Sequence, residues 1–356
     1  MNDRISVSQA SSWQWSTEQD LALYERAGVR RVGLTMAKLA DVSAHDLHAF
    51  SRQLDDVGIT VASLLALGPL TLDQPDRWPE QRDSLGRFMD VASIVRPEVG
   101  VLTTGPAGPL SWEWAADAFA QAIEGTVNEA TREGLFLCLE PTNPLRTDVS
   151  FVHNVRDALE LGFRCDMGVC LELHHAWAER NIDGLIAANP IAIGLVQLSD
   201  GRFGARTTPD RLVPGDGAFP LARVIRQLLG SGYSGAFELE LVGPAIEDEG
   251  YESAILRGLR WLDALLTEFV EEDDGESRSD GVDDPNGDPE GGDRDDGGDG
   301  GDRNGGSGDR PRAPRGNPPL IGAQALELPQ SDPSPGLDLP VVPATLLPVG
   351  ADEDPA

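Results

Sequence analysis

Apolar and polar positions along the first 270 or so residues follow two alternating rhythms. Short apolar runs bounded by glycine, proline or polar residues recur at 5–10, 29–34, 59–67, 99–104, 135–140, 167–173, 191–200 and 235–243. Runs of this length and continuity predict strands buried on both faces, as in a parallel sheet. Between them, apolar residues return with helical spacing near 16–27, 44–57, 80–95, 112–133, 151–162, 182–188, 220–230 and 250–269. Ser16 and Gln19 give the first helix a capping signal, and Ile255, Leu259, Leu262 and Leu266 draw one stripe along the last. Eight strands alternating with eight helices over this length predict an α/β fold of the (β/α)8 TIM barrel type. An open doubly wound sheet would carry a glycine-rich dinucleotide fingerprint after its first strand, and none is present.

Four of the predicted strands end in oxygen-bearing side chains. Leu139-Glu140-Pro141 closes the fifth and Glu172 the sixth; Gln197, Ser199 and Asp200 lie near the end of the seventh, and Glu240 near the end of the eighth. Side chains alternate along a strand. Glu140 therefore shares a face with Phe136 and Cys138, Glu172 with Cys170, Gln197 with Leu195 and Ser199, and Glu240 with Glu238 and Ala236. If those faces point inward, Glu140, Glu172, Gln197 and Glu240 converge at the barrel mouth, where this fold keeps its chemistry. Three converging carboxylates repel one another. Protonation with a raised pKa relieves the repulsion, and so does a divalent cation. All-oxygen ligation favours Mn2+ or Mg2+. His175, three residues after Glu172, can add a ligand or hold a substrate hydroxyl.

Charge is distributed unevenly. Of 60 acids and 28 bases, 22 and 6 follow residue 270, so the last quarter of the chain carries about half of the net charge of −32. Residues 271–309 are mostly Asp, Gly, Glu, Arg and Asn, and 316–356 are rich in Pro, Leu and Val. Such segments bury too little to offset their ordering entropy. The expected organisation is a barrel over 1–270 and a disordered, acidic, Asp/Gly/Pro-rich tail over 271–356. The Asp-Gly repeats match neither the nonapeptide nor the EF-hand calcium spacing. So acidic a chain is not drawn to nucleic acid or anionic membranes. No run reaches the roughly 18 apolar residues of a membrane span, and residues 1–20 lack the apolar core of a signal peptide. Cys138, Cys165 and Cys170 are odd in number and two lie in predicted core strands, which fits reduced thiols and a cytoplasmic location.

The motifs, in their order, resemble the xylose isomerase-like barrel superfamily of sugar phosphate isomerases and epimerases over roughly residues 4–268. They are Leu139-Glu140-Pro141, Glu172 with His175, Val196-Gln197-Leu198-Ser199-Asp200, Arg211-Leu212-Val213-Pro214-Gly215-Asp216-Gly217, Gly232-Tyr233-Ser234-Gly235 and Glu238-Leu239-Glu240. The resemblance implies a metal quartet on strands five to eight, here Glu140, Glu172, Gln197 and Glu240. Glu172 stands where Asp is usual and Gln197 where His is usual. It also implies Glu140 and Glu240 as the catalytic pair exchanging a proton with carbon beside a carbonyl, with the metal stabilising the enediolate. His175 and Arg211 are the implied substrate-binding groups, and Arg202 and Lys38 are looser candidates. Plainer readings stand beside these. Glu238, one pleat deeper than Glu240, suits a polar partner in the core; His174, Cys138 and Cys170 suit packing. Trp13, Trp15 and Trp177 fit a pocket wall and ordinary packing equally. Gly215 and Gly217 suit a turn more than a phosphate cradle.

The expected function is that of a divalent-metal-dependent isomerase or epimerase acting on a small sugar or other polyhydroxylated carbonyl compound. Two alternatives stay open. A lyase of the inosose dehydratase type would begin with the same proton abstraction, and a barrel that has lost its metal could serve as a binding protein with the tail as an interaction arm. The DNA-repair endonucleases of the superfamily need a histidine-rich zinc site and a basic groove, which five histidines and this charge do not supply. Self-association is left open.

Overall fold

Each of the eight apolar runs forms a strand in the computed structural model, which describes residues 1–68 and 70–279. The strands are β1 (Ile5–Ser8), β2 (Arg31–Thr35), β3 (Thr60–Ala66), β4 (Val99–Leu102), β5 (Phe136–Leu139), β6 (Gly168–Glu172), β7 (Ile193–Leu198) and β8 (Ala236–Leu239). Neighbours are parallel, and β8 pairs back onto β1, so the barrel closes in sequence order. The helices are α1 (Thr17–Ala27), α2 (Met36–Leu39), α3 (Ala44–Asp56), α4 (Trp78–Val95), α5 (Trp112–Glu133), α6 (Val155–Arg164), α7 (Leu173–Ala176), α8 (Ile182–Ala188), α9 (Leu221–Gly230), α10 (Pro244–Glu249) and α11 (Tyr251–Ser279). Ser16 and Gln19 form the reciprocal capping box expected at α1. The short helices α2, α7 and α10 have no counterpart in the sequence reading, because four to six residues are too few to show a period. Of these, α7 matters most. Strand alternation stops at Glu172, and His174 and His175 sit on a helical turn.

Strand parity separates two apolar layers. Leu137, Leu139, Val169, Leu171, Val196, Leu198, Phe237 and Leu239 face outward and pack under the helices. Val99, Val101, Cys138, Cys170, Leu195 and Ala236, with Phe136, face inward and plug the lower barrel. Cys138 and Cys170 are free and buried, as expected for packing residues, and burial pushes the Cys138 thiol up to about 12.

A polar layer lies on that plug. Glu238 is fully buried and accepts hydrogen bonds from Ser6 Oγ (2.8 Å), Ser63 Oγ (2.9 Å) and Gln197 Nε2 (3.1 Å). This is the polar core partnership expected of the deeper acid. Gly33 on β2 leaves room for it, since a Cβ there would fall 2.2 Å from Glu238 Oε2.

The stripe Ile255, Leu259, Leu262 and Leu266 of α11 is buried against the barrel. The α11 backbone runs to Ser279, past the boundary expected at residue 270. The rest of the expected acidic tail lies outside the described residues. Leu266 is the last residue of α11 described as buried. Because residues 271–356 are dominated by Asp, Gly and Pro with little to bury, removal of everything after residue 270 is expected to leave Tm and turnover unchanged, and a lowered melting temperature of the truncated chain would move the domain boundary. Among the described residues, no helix is long and apolar enough to cross a membrane.

Candidate active site

Glu140 and Glu240 stand one residue beyond β5 and β8, yet the ladder still holds them. The Glu140 N–H donates to the Leu102 carbonyl (3.0 Å) and the Glu240 N–H to the Leu198 carbonyl (3.1 Å). Both side chains keep the inward parity of their strands. Glu172 closes β6 and caps α7, its Oε1 accepting from the His174 N–H at 2.8 Å. Arg211 enters from the loop between β7 and α9. Its Nη1 donates to Glu172 Oε2, the Glu240 carbonyl (3.1 Å) and Ser199 Oγ (3.3 Å), and forms an ion pair with Glu240 Oε2 at 3.0 Å. His175 Nδ1 donates to the Pro141 carbonyl (3.1 Å) and lies 3.6 Å from Glu140 Oε1. A carbonyl only accepts, so Nδ1 carries the proton and Nε2 is left as an acceptor. The structure thus brings Glu140, Glu172, Glu240, His175 and Arg211 together at the mouth.

Their protonation follows from that crowding. Burial, then the charges of Glu240 and Glu172, push the Glu140 carboxyl well above the usual range. Burial raises Glu240 to about 7, with the Arg211 guanidinium holding it back. Burial lowers the Arg211 guanidinium, but Glu172 and Glu240 outweigh it and Arg211 ends above its ordinary value. Burial and then Arg211 keep His175 well below its ordinary value. The site therefore holds a Glu140 that keeps its proton more tightly than an ordinary carboxyl, a Glu240 ready to exchange a proton near neutrality, a neutral His175 and a charged Arg211.

Gln197 is placed differently from the expectation. It is fully buried; its Nε2 donates to Glu238 Oε1, and its Oε1 accepts from Cys170 Sγ at 3.2 Å. Both partners lie deeper in the barrel, so the amide is turned down toward the polar layer. A cation held by Glu172 and Glu240 would have to sit between their carboxylates, and Arg211 Nη1 sits there. Among the described residues, no group of three or more His, Cys, Asp or Glu side chains is arranged to hold an ion. The quartet Glu140, Glu172, Gln197 and Glu240 consequently does not fit Mn2+ or Mg2+ as it stands. A guanidinium engages two of the acids, and Glu238 and Cys170 engage the amide.

Lys38 and Arg202 have other roles. Lys38 Nζ donates to Asp20 (2.6 Å) and to the Ser12 carbonyl (2.9 Å), a part-buried strut between α2 and α1. Arg202 is exposed, 3.7 Å from Asp210. The residue that sequence reasoning undervalued is Asp200. Its Oδ1 accepts from the Gly201 and Phe219 N–H groups (2.9 and 3.0 Å) and its Oδ2 from the Gly215 N–H (3.0 Å). A Cβ on Gly217 would come 2.2 Å from Asp200 Oδ1. The Pro-Gly-Asp-Gly segment thus wraps an internal carboxylate, as the turn reading expects, and Leu212 pairs with Asp200 to present Arg211. An acid followed by a glycine-rich loop rich in unpaired amides was the available signal.

His174 packs against Phe219 with ring centroids 5.3 Å apart, and Trp177 stacks on Phe219 at 4.7 Å. Trp15 packs edge-on against Tyr251, while Trp13 is exposed and donates to Glu247. A cavity of 380 Å3 opens between the loops after β4 and β5, where Trp112, Ser150, Phe151 and His153 line it. None of the gathered acids lines this cavity.

The model of the xylose isomerase-like TIM barrel family matches residues 21–265. Among solved structures, one of the IOLI protein with a binding zinc atom superposes with a TM-score of 0.65 at 18% identity, covering 75% of this chain and 99% of that one. L-ribulose 3-epimerase gives 0.64 at 16% identity, over 79% and 99%. D-psicose 3-epimerase with D-tagatose, from Clostridium cellulolyticum H10, gives 0.61 at 15%, over 74% and 99%. At these identities the likeness is one of fold. No curated protein matches the chain.

Proposed function

Since this chain belongs to the xylose isomerase-like TIM barrel family, we propose that it is an isomerase or epimerase that moves a proton on carbon beside a carbonyl, in a small polyhydroxylated compound of the sugar type. The observation that carries this reading is the pairing of Glu140 and Glu240 at the mouth. They keep 6% and 5% of their surface exposed, whereas Glu172, Gln197 and Glu238 keep none. A ligand at the mouth therefore meets these two acids first. Glu240, raised to about 7, takes the proton from carbon. The C–H electron pair becomes the new C=C bond, and the carbonyl π pair moves onto oxygen. Glu140, whose protonated form burial favours, returns a proton to carbon as the C=C pair forms the new C–H bond and the oxygen pair restores the carbonyl, and Glu240 keeps the proton removed. The two acids exchange roles in the reverse direction. His175 Nε2 is free to accept from a substrate hydroxyl. That solved sugar epimerases share this fold supports the substrate class. The acidic composition and three free cysteines support a cytoplasmic enzyme without a nucleic-acid or membrane partner.

The test is solvent exchange. The full chain, incubated in deuterium oxide with a panel of ketoses and inososes, is expected to place deuterium on carbon beside the carbonyl of at least one compound. The product should keep its water. Loss of water from the labelled product would make the enzyme a lyase, and absence of exchange across the panel would count against proton transfer.

A further inference from the structure

We propose that Arg211 is the resident cation of this site and that the protein works without a divalent metal. Four oxygens surround one nitrogen of its guanidinium: Glu172 Oε2, Glu240 Oε2, the Glu240 carbonyl and Ser199 Oγ. Oxygens from β6, β7 and β8 thus converge on a positive charge, which is how an ion would be held. The charge is permanent, because a guanidinium does not lose its proton in proteins. It is also anchored. The Arg211 N–H donates to the Val242 carbonyl (3.2 Å), and the Asp200–Leu212 bridge closes the loop beside it.

The other members of the set are already committed. Glu172 Oε1 caps the His174 N–H, and the Gln197 amide spans Cys170 and Glu238. A divalent ion entering between Glu172 and Glu240 would have to expel a buried guanidinium or sit against it. Expulsion leaves a buried charge without its partners, and juxtaposition sets like charges together.

The guanidinium also has donors to spare. Among the described residues, every side-chain hydrogen bond and ion pair of Arg211 runs through Nη1, and Nη2 and Nε donate to no protein group. Those N–H groups can reach a ligand oxygen next to Glu240. In the proton transfer proposed above, the electron pair released from carbon ends on the carbonyl oxygen, and Arg211 neutralises it there. That role rests on the proton-transfer reading. The exclusion of metal rests on the packing alone.

Equilibrium dialysis of the chelator-stripped full chain against Mn2+, with bound metal measured by atomic emission and free Mn2+ by electron paramagnetic resonance, separates the two. The wild-type chain is expected to retain no stoichiometric Mn2+ and to show no Mn2+-dependent shift in Tm. Arg211→Gln frees Glu172 and Glu240 and is expected to take up about one Mn2+ per chain. Stoichiometric uptake by the wild type, abolished by Glu172→Gln, would overturn the proposal whatever the protein's turnover. A folded Arg211→Gln that binds as little as the wild type would overturn it too, since the guanidinium would then not be what excludes the ion. The wild-type arm stands even if that variant does not fold.

Discussion

Glu140→Gln and Glu240→Gln are each expected to lower the rate of solvent exchange into substrate by about 10²- to 10⁴-fold, while both variants keep the wild-type circular dichroism. The two losses differ in origin. Glu140 is pushed well above the ordinary carboxyl range by burial and by Glu240 and Glu172, which favours its protonated form. An amide of the same shape keeps its packing and its distance from His175 but has no proton to return to carbon. Glu240, raised to about 7, is the group that can ionise near neutrality and accept a proton from carbon. Its replacement removes the base and leaves Arg211 paired to Glu172. Both changes should act on kcat more than on KM, because each removes an interaction made as the proton moves. If either variant retains the wild-type rate, that residue is not one of the pair.

The second large effect is on stability. Glu238→Ala is expected to cost about 3 kcal/mol or more in chemical denaturation. Three donors converge on that carboxylate, from Ser6, Ser63 and Gln197, and none has water to turn to in a fully buried layer. Glu238→Gln keeps an acceptor and the side-chain volume and should cost less. Glu238 also makes stability depend on pH. Burial raises it to about 7 from an ordinary value of 4.5, against the hydrogen bonds from Gln197, Ser6 and Ser63. The folded chain therefore holds a proton that the unfolded chain has released. That contribution is complete below about 4.5 and disappears as pH rises through 7. Glu240 behaves in the same way. His174, lowered to about 4 by burial and Arg211, acts in the opposite direction but only below its ordinary value of 6.5. Tm is thus expected to fall between pH 6.5 and about pH 8, and calorimetry on Glu238→Gln should show a shallower fall. A wild-type Tm that stays level over that interval would mean that Glu238 and Glu240 are ionised throughout.

Periodicity alone determined much of this protein. Buried parallel strands need apolar residues on both faces, and helices between them need a stripe, so all eight strands are legible as runs and the principal helices as stripes. Parity then assigned Glu140, Glu172, Gln197, Glu238 and Glu240 to the barrel interior, because a strand's period of two leaves a side chain only two directions. Tertiary structure decided what each inward group touches. Arg211 is 39 residues from Glu172 and 29 from Glu240, in an irregular loop with no period to read, and the ties of that loop to Asp200 and Val242 bring the guanidinium between the two acids. Gln197 has the correct face, yet its amide is turned toward Glu238 and Cys170, a choice of rotamer set by hydrogen-bond partners on other strands. Lys38 follows a strand as a ligand-binding base would, but Asp20 on α1 claims it. Side-chain direction is local and so is written in the sequence pattern; the partner that satisfies a buried charge comes from distant segments, and packing selects it.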